Sequence, residues 1–103
     1  MNVASIIWLK KIVDKLANKH HITQDEVEQV FINNPQYRFL EQGKIEDEHV
    51  YSAYGQTDSG RYVTVIFIRK FCSSVARRNV IGNRALVISA RDMDRKERKQ
   101  YGK

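Results

Sequence analysis

Ile6, Leu9, Ile12, Val13, Leu16 and Ala17 recur at helical spacing, with Lys10, Lys11, Asp14, Lys15 and Asn18 on the other face. That pattern predicts a first helix from about Ser5 to Lys19. Thr23 followed by Glu26 is a capping box: the hydroxyl accepts a backbone N–H and the glutamate accepts another in return. Val27, Val30 and Phe31 then give a second helix its apolar stripe. Asn33-Asn34-Pro35 ends it, because the residue before proline avoids helical geometry.

Beyond the proline the pattern changes to strands. Tyr37, Phe39 and Leu40 suggest a first strand, Lys44 to Glu48 a polar turn, and His49 to Tyr54 a second strand. Asp58-Ser59-Gly60 lies at the tip of a turn over Gln56 to Gly60. Arg61 to Ile68 is rich in β-branched and aromatic residues and apolar on both faces, which places it in the middle of a sheet. Arg69 to Asn83 reads as a longer connection carrying Lys70, Arg77 and Arg78. Arg84 to Ala90 is the last strand, and Asp94 with Glu97 opens a short helix through Tyr101. The expected fold is α+β in one domain over residues 1–103. It has two N-terminal helices, an antiparallel sheet of about four strands and a short C-terminal helix.

A chain of 103 residues, 42% apolar, can build a single core. No apolar run approaches the ~18 residues that span a bilayer. The start lacks the basic region and cleavage site of a secretory signal. One cysteine, Cys72, allows no internal disulfide and reads as inert. These features point to a cytoplasmic protein with no membrane partner.

Charge changes the picture more than composition does. Residues 1–68 hold seven Lys/Arg against nine Asp/Glu, whereas residues 69–103 hold eleven against three. A concentrated basic region attracts phosphate at long range. The bland reading is a solvated basic surface. The terminal helix sharpens the choice, since Arg91, Arg95 and Arg98 or Lys99 fall on one stripe and Met93, Glu97 and Tyr101 on another. A row of guanidinium groups suits a phosphate backbone. Glu97 completes the cap, and Tyr101 either stacks on a base or anchors the helix. Three histidines and scattered acids show no ligand spacing, so no metal or other cofactor is expected.

Ile88-Ser89-Ala90-Arg91, Glu97-Arg98 and Tyr101 together resemble the C-terminal signature of BrnT-type toxins, the toxin halves of bacterial type II toxin–antitoxin pairs. Trp8, Lys19-His20, Phe31 and Gly60-Arg61 stand in the matching order, so the resemblance covers most of the chain. It implies a RelE-like fold, metal-independent endoribonuclease activity that inhibits translation, and a cognate antitoxin protein through which alone DNA is met. Such cleavage uses the 2′-hydroxyl as nucleophile and needs a base, an acid and cations around the phosphate. Lys19 and His20 are the candidate proton handlers, and Arg61 and Arg91 the candidates for transition-state charge. Arg95, Arg98 and Tyr101 would hold RNA.

The sequence departs from the family at Leu86, where the pattern has an arginine. Arg84, on the same strand face, is the candidate substitute for RNA binding. The connection from Phe71 to Asn83 is also longer than in the family. These departures keep an inactive homologue, or a non-catalytic RNA-binding module with Tyr37, Tyr51, Tyr54 and Tyr62 as stacking residues, as the alternative. Lys19-His20 also has a simpler reading, as cations favoured at a helix C-terminus. Arg61 has the alternative reading of a solvated strand end, while His21 and His49 read as ordinary surface residues and Trp8 as core.

Overall fold

The two apolar faces of the Arg61–Ile68 run are satisfied by giving it neighbours on both sides. In the computed structural model, which describes residues 3–43, 48–72 and 82–101, this run lies in the central strand of five. The elements are β1 (Val3–Ile7), α1 (Lys10–Lys15), a π-helical turn (Leu16–His20), α2 (Gln24–Ile32), β2 (Gln36–Glu41), β3 (Val50–Gln56), β4 (Tyr62–Cys72), β5 (Gly82–Asp92) and α3 (Arg95–Tyr101). The sheet order is β1-β5-β4-β3-β2. β2 through β5 form the antiparallel meander, and β1 joins it parallel to β5.

Three expectations are corrected. The first helix does not begin at Ser5, because Val3–Ile7 is a strand, with Ser5 opposite Arg84. The spacing of Ile6 and Leu9 mimics a helix, yet Leu9 lies at the N-cap of α1 and is half exposed. The sheet is therefore mixed and five-stranded, not antiparallel with about four strands. The connection from Arg69 to Asn83 is also shorter than expected, since β4 runs on to Cys72 and β5 starts at Gly82. The remainder of that connection, with Arg77 and Arg78, and most of the turn expected at Lys44 to Glu48 lie outside the described residues.

The helices pack on one face of the sheet. Leu16, Ile22, Val27 and Val30 are buried against Val63, Val65 and Phe67 of β4 and their neighbours on β3 and β5. Fully burying a side chain of this size stabilises by about 1.5–3 kcal/mol. Gly55 permits the close approach of α2, as a Cβ there would stand 2.9 Å from the Val30 Cγ1. The capping box forms as expected: Thr23 Oγ1 accepts from the Glu26 N–H at 3.2 Å, and Glu26 Oε1 accepts from the Thr23 N–H at 3.1 Å. α2 ends at Asn33, and Asn34 takes a left-handed φ of 52°. Asn33 Nδ2 donates to the Gln56 carbonyl and to Asp58, which ties the helix end to the β3–β4 turn. The helix α3 lies on the opposite face, where its Glu97 accepts from the Thr64 hydroxyl.

Candidate nucleic-acid interface

Strand alternation divides the expected site between two faces of the sheet. At the end of β5, Arg91 is opposite Thr64 and Asp92 is opposite Val63. Val63 belongs to the core under the helices, whereas Thr64 meets α3. Asp92 therefore joins the helix side and Arg91 the α3 side.

On the helix side, Arg61 is the hub. Its Nε and Nη2 donate to the two carboxylate oxygens of Asp92 at 2.6 and 3.1 Å. Its Nη1 donates to Glu26 Oε2 at 3.2 Å and to the His21 carbonyl at 2.8 Å, and Nη2 also reaches the His20 carbonyl at 3.1 Å. The π-helical turn delivers those carbonyls. It widens so that the His21 N–H reaches the Leu16 carbonyl, then closes with His21 in the left-handed region at φ 53°. Gly60, at φ 92°, makes the turn that aims Arg61 back at them. The hydrogen bond from Arg61 holds the Asp92 carboxyl below its ordinary 3.8, against the upward push of partial burial, and the charges of Arg61 and His20 act in the same direction. The same bond raises Arg61. His20 is half-buried beside this network and Lys19 is exposed.

On the other face, Arg91 is bound at both ends by Glu97, at 2.6 and 2.9 Å. That bond raises the Arg91 pKa, with partial burial opposing it. Glu97 also accepts from the Asp94 N–H at 3.0 Å, and Asp94 Oδ1 accepts from the Glu97 N–H at 2.8 Å. The second capping box is therefore present, and its glutamate holds an arginine as the first one does. Beyond it the cations are unspent. Arg95, Lys96, Arg98 and Lys99 have no carboxylate partner among the described residues. Tyr62, Met93, Arg95, Arg98 and Lys99 line an open cleft of about 480 Å³. The Arg98 guanidinium lies 4.5 Å from the centre of the Tyr62 ring, and Tyr101 meets that ring edge-on at 5.9 Å. Cations placed on an aromatic face, open to solvent, suit a polyanion whose bases can stack.

The structure thus brings Arg61 to His20, and Arg95 and Arg98 to Tyr62, whose ring also meets Tyr101, at the same end of the sheet but on opposite faces. Arg84 is not brought to either group. Its Nε donates to Ser5 Oγ at 3.3 Å, and it stands seven residues from Arg91, roughly 23 Å along the strand. Sequence reasoning missed the partners of the two arginines. Glu26 and Glu97 were legible as caps, and nothing local showed that each carries a second load. Asp92 stood next to Arg91 with only its alternate strand parity to mark it.

Among the described residues, no group of three His, Cys, Asp or Glu side chains is arranged to hold a metal ion, and no helix is long and apolar enough to cross a membrane. Comparison with known families finds no family model that matches the chain, and comparison with curated proteins finds no match.

Proposed function

We propose that the protein binds single-stranded RNA through the α3 cleft and cleaves it without a metal, as the toxin half of a type II toxin–antitoxin pair. The observation that carries the binding half is the cleft itself: three cations and a tyrosine face lie together, with no acidic side chain in the lining among the described residues. Bases stack on aromatic faces with little regard to sequence, while lysine and arginine track the backbone. The cleavage half rests on the resemblance to BrnT-type toxins and on the position of His20. An imidazole can take the 2′-hydroxyl proton or supply one to the leaving 5′-oxygen. Arg61 stands beside it. The Arg61 side chain is 27% exposed and its Asp92 partner 62%, so a phosphate that displaces Asp92 can reach the guanidinium. A cognate antitoxin is the protein partner this reading requires.

One observation favours the non-catalytic alternative. Arg61 and Arg91, the two arginines assigned to transition-state charge, are each already bonded to a carboxylate through two nitrogens. A phosphate must compete with those carboxylates before either arginine can serve.

The deciding experiment is incubation of RNA with the purified protein in excess chelator, with an assay for 2′,3′-cyclic phosphate ends. Cyclic ends that vanish in His20→Ala, with binding and melting temperature kept, support cleavage. Binding without any product supports the RNA-binding module or an inactive homologue. Full cleavage by His20→Ala, Arg61→Ala and Arg91→Ala alike would sink the catalytic assignment. Binding is tested separately by salt. Four to six phosphate contacts to single-stranded RNA give a slope of roughly −3 to −4 in log K against log salt, and a flat response argues for an acidic protein instead.

A further inference from the structure

β2 is an edge of the sheet, and among the described residues it is not protected as an edge usually is. Its exposed residues include two adjacent large apolar side chains, Phe39 at 53% and Leu40 at 42% exposed. Edge strands more often carry like charges, prolines or a covering loop, because an open edge invites another strand. The two charges here are of opposite sign, Arg38 and Glu41, and their placement is unusual. Arg38 is opposite Ser52, Phe39 is opposite Tyr51, and Glu41 is opposite Val50, so the register steps at Leu40. The step makes Leu40 and Glu41 count as one position, and it returns Glu41 to the face that carries Arg38. Phe39 occupies the other face, where it meets Tyr51 at 5.6 Å and His49 at 5.7 Å. Those ring contacts hold Phe39 in place before any partner arrives, which lowers the entropy cost of binding.

We propose that β2 pairs antiparallel with β2 of a second copy of this chain, about a two-fold axis through Phe39. An axis perpendicular to the sheet keeps each residue on its own face. It sets Phe39 opposite the partner's Phe39 and, one position to either side, Arg38 opposite Glu41 of the partner subunit. Every interaction then occurs twice, as an isologous interface demands. The charge pairs lie on one face and the aromatic pair on the other, so the strand is complementary to itself in this register. A slip of one residue would set the rings against the charge face. A heterologous strand would need its own match to this order of charge, ring and step, and nothing on β2 selects one.

A single strand pair buries less than the ~1,200 Å² of a standard interface, so the dimer exchanges with monomer. Sedimentation velocity of the full chain from about 1 μM to about 1 mM should show the weight-average mass rising from monomer toward dimer, the range expected of weak association. Arg38→Glu and Glu41→Arg each install two like-charge pairs, and each should weaken association by about tenfold or more. The double variant, R38E with E41R, exchanges the charges and should restore the wild-type curve. Arg38 and Glu41 are exposed, so all three variants should keep the wild-type melt, and circular dichroism checks that they do. A protein that stays monomeric throughout that range overturns the proposal. So does a dimer unaffected by the single reversals, or a double variant that fails to recover.

Discussion

The two capping boxes use one local device and leave opposite surpluses. Thr23 and Glu26 open α2, Asp94 and Glu97 open α3, and in each the glutamate also holds an arginine from the same end of the central sheet. α2 then continues with acids and no base, Asp25 and Glu28 beside Glu26, whereas α3 continues with Arg95, Lys96, Arg98 and Lys99 against the single acid Glu97. On the α2 side Arg61 is fully occupied by Asp92, Glu26 and two carbonyls. On the α3 side, the cations that line the cleft are left over after the fold has taken Arg91. A positive charge engaged by the protein's own carboxylates is mainly a structural asset, and one without such a partner remains available to a phosphate. The comparison therefore separates arginines that hold the end of the sheet together from arginines that can meet RNA.

The largest effect should come from removing the surplus. Arg95→Ala, Arg98→Ala and Lys99→Ala combined should lower RNA affinity about a hundredfold at low salt and flatten the salt slope by about 2. The melting temperature should stay near that of the wild type, because none of the three anchors a carboxylate. Filter binding over a salt series reads the first effect and calorimetry the second. A triple variant that binds as before would show that the α3 cleft is not the interface.

Next in size is the opposite experiment, on the α2 side. Arg61→Ala strands Asp92, Glu26 and two carbonyls at once. Leaving partly buried polar groups unpaired costs about 2 kcal/mol, roughly 10 °C in melting temperature for a domain this small. Arg61→Ala can therefore lose cleavage simply by unfolding, and Arg61→Lys does not repair it, since an ammonium cannot reproduce the planar fork. Equal melts for wild type and Arg61→Ala would show that the hub carries no stability. A smaller and more diagnostic change is Glu97→Gln. The amide still accepts from the Asp94 N–H, so the cap survives, while Arg91 loses its counter-charge. Stability should fall by about 1 kcal/mol. RNA binding should strengthen, with the salt slope steeper by about 0.7 as Arg91 joins the available set. Weaker binding by Glu97→Gln would show that the ion pair positions the cleft rather than competing with it.

The sequence was legible where structure is local. Both capping boxes, the stop at Asn33-Asn34-Pro35 and the central place of the Arg61–Ile68 run depend on residues a few positions apart, and each appears as expected, although the strand runs on to Cys72. β1 was not legible, because the strand it pairs with lies about eighty residues away and nothing near Val3–Ile7 announces a parallel ladder. Ile6, Leu9 and Ile12 satisfied a helical period by accident of composition. The site divides the same way. The basic surplus of α3 could be read from the sequence, whereas the gathering of Arg95 and Arg98 with Met93 and Tyr62 could not, because spacing put Met93 on a different stripe. The capture of Arg61 by Asp92 and Glu26 spans 31 and 35 residues, and only the folded sheet brings those groups together.

The smallest effect is a pH dependence confined to acid. Arg61 holds the Asp92 carboxyl below its ordinary 3.8 in the folded chain. A carboxylate depressed by folding adds stability that is fully present above its unfolded pKa and is lost as pH falls through the lower, folded value. The contribution should therefore be constant from neutral pH down to about pH 4 and fade below 3.8. Arg61 is raised above its ordinary, strongly alkaline value, so its own share is lost only in extreme alkali and leaves the working range flat. With 62% of the Asp92 side chain exposed, solvent screens the pair, and its worth is about 0.5 kcal/mol. Asp92→Asn should accordingly melt slightly below wild type at neutral pH, with the gap closing below pH 3.8 and shrinking in ~1 M salt, where the screening length falls to about 3 Å. Exposed carboxylates elsewhere cancel in the difference between the two proteins. A gap that persists undiminished into acid would mean that Asp92 acts through shape or hydrogen bonding alone, and that the charge on the α2 side is as idle as the charge on α3 is available.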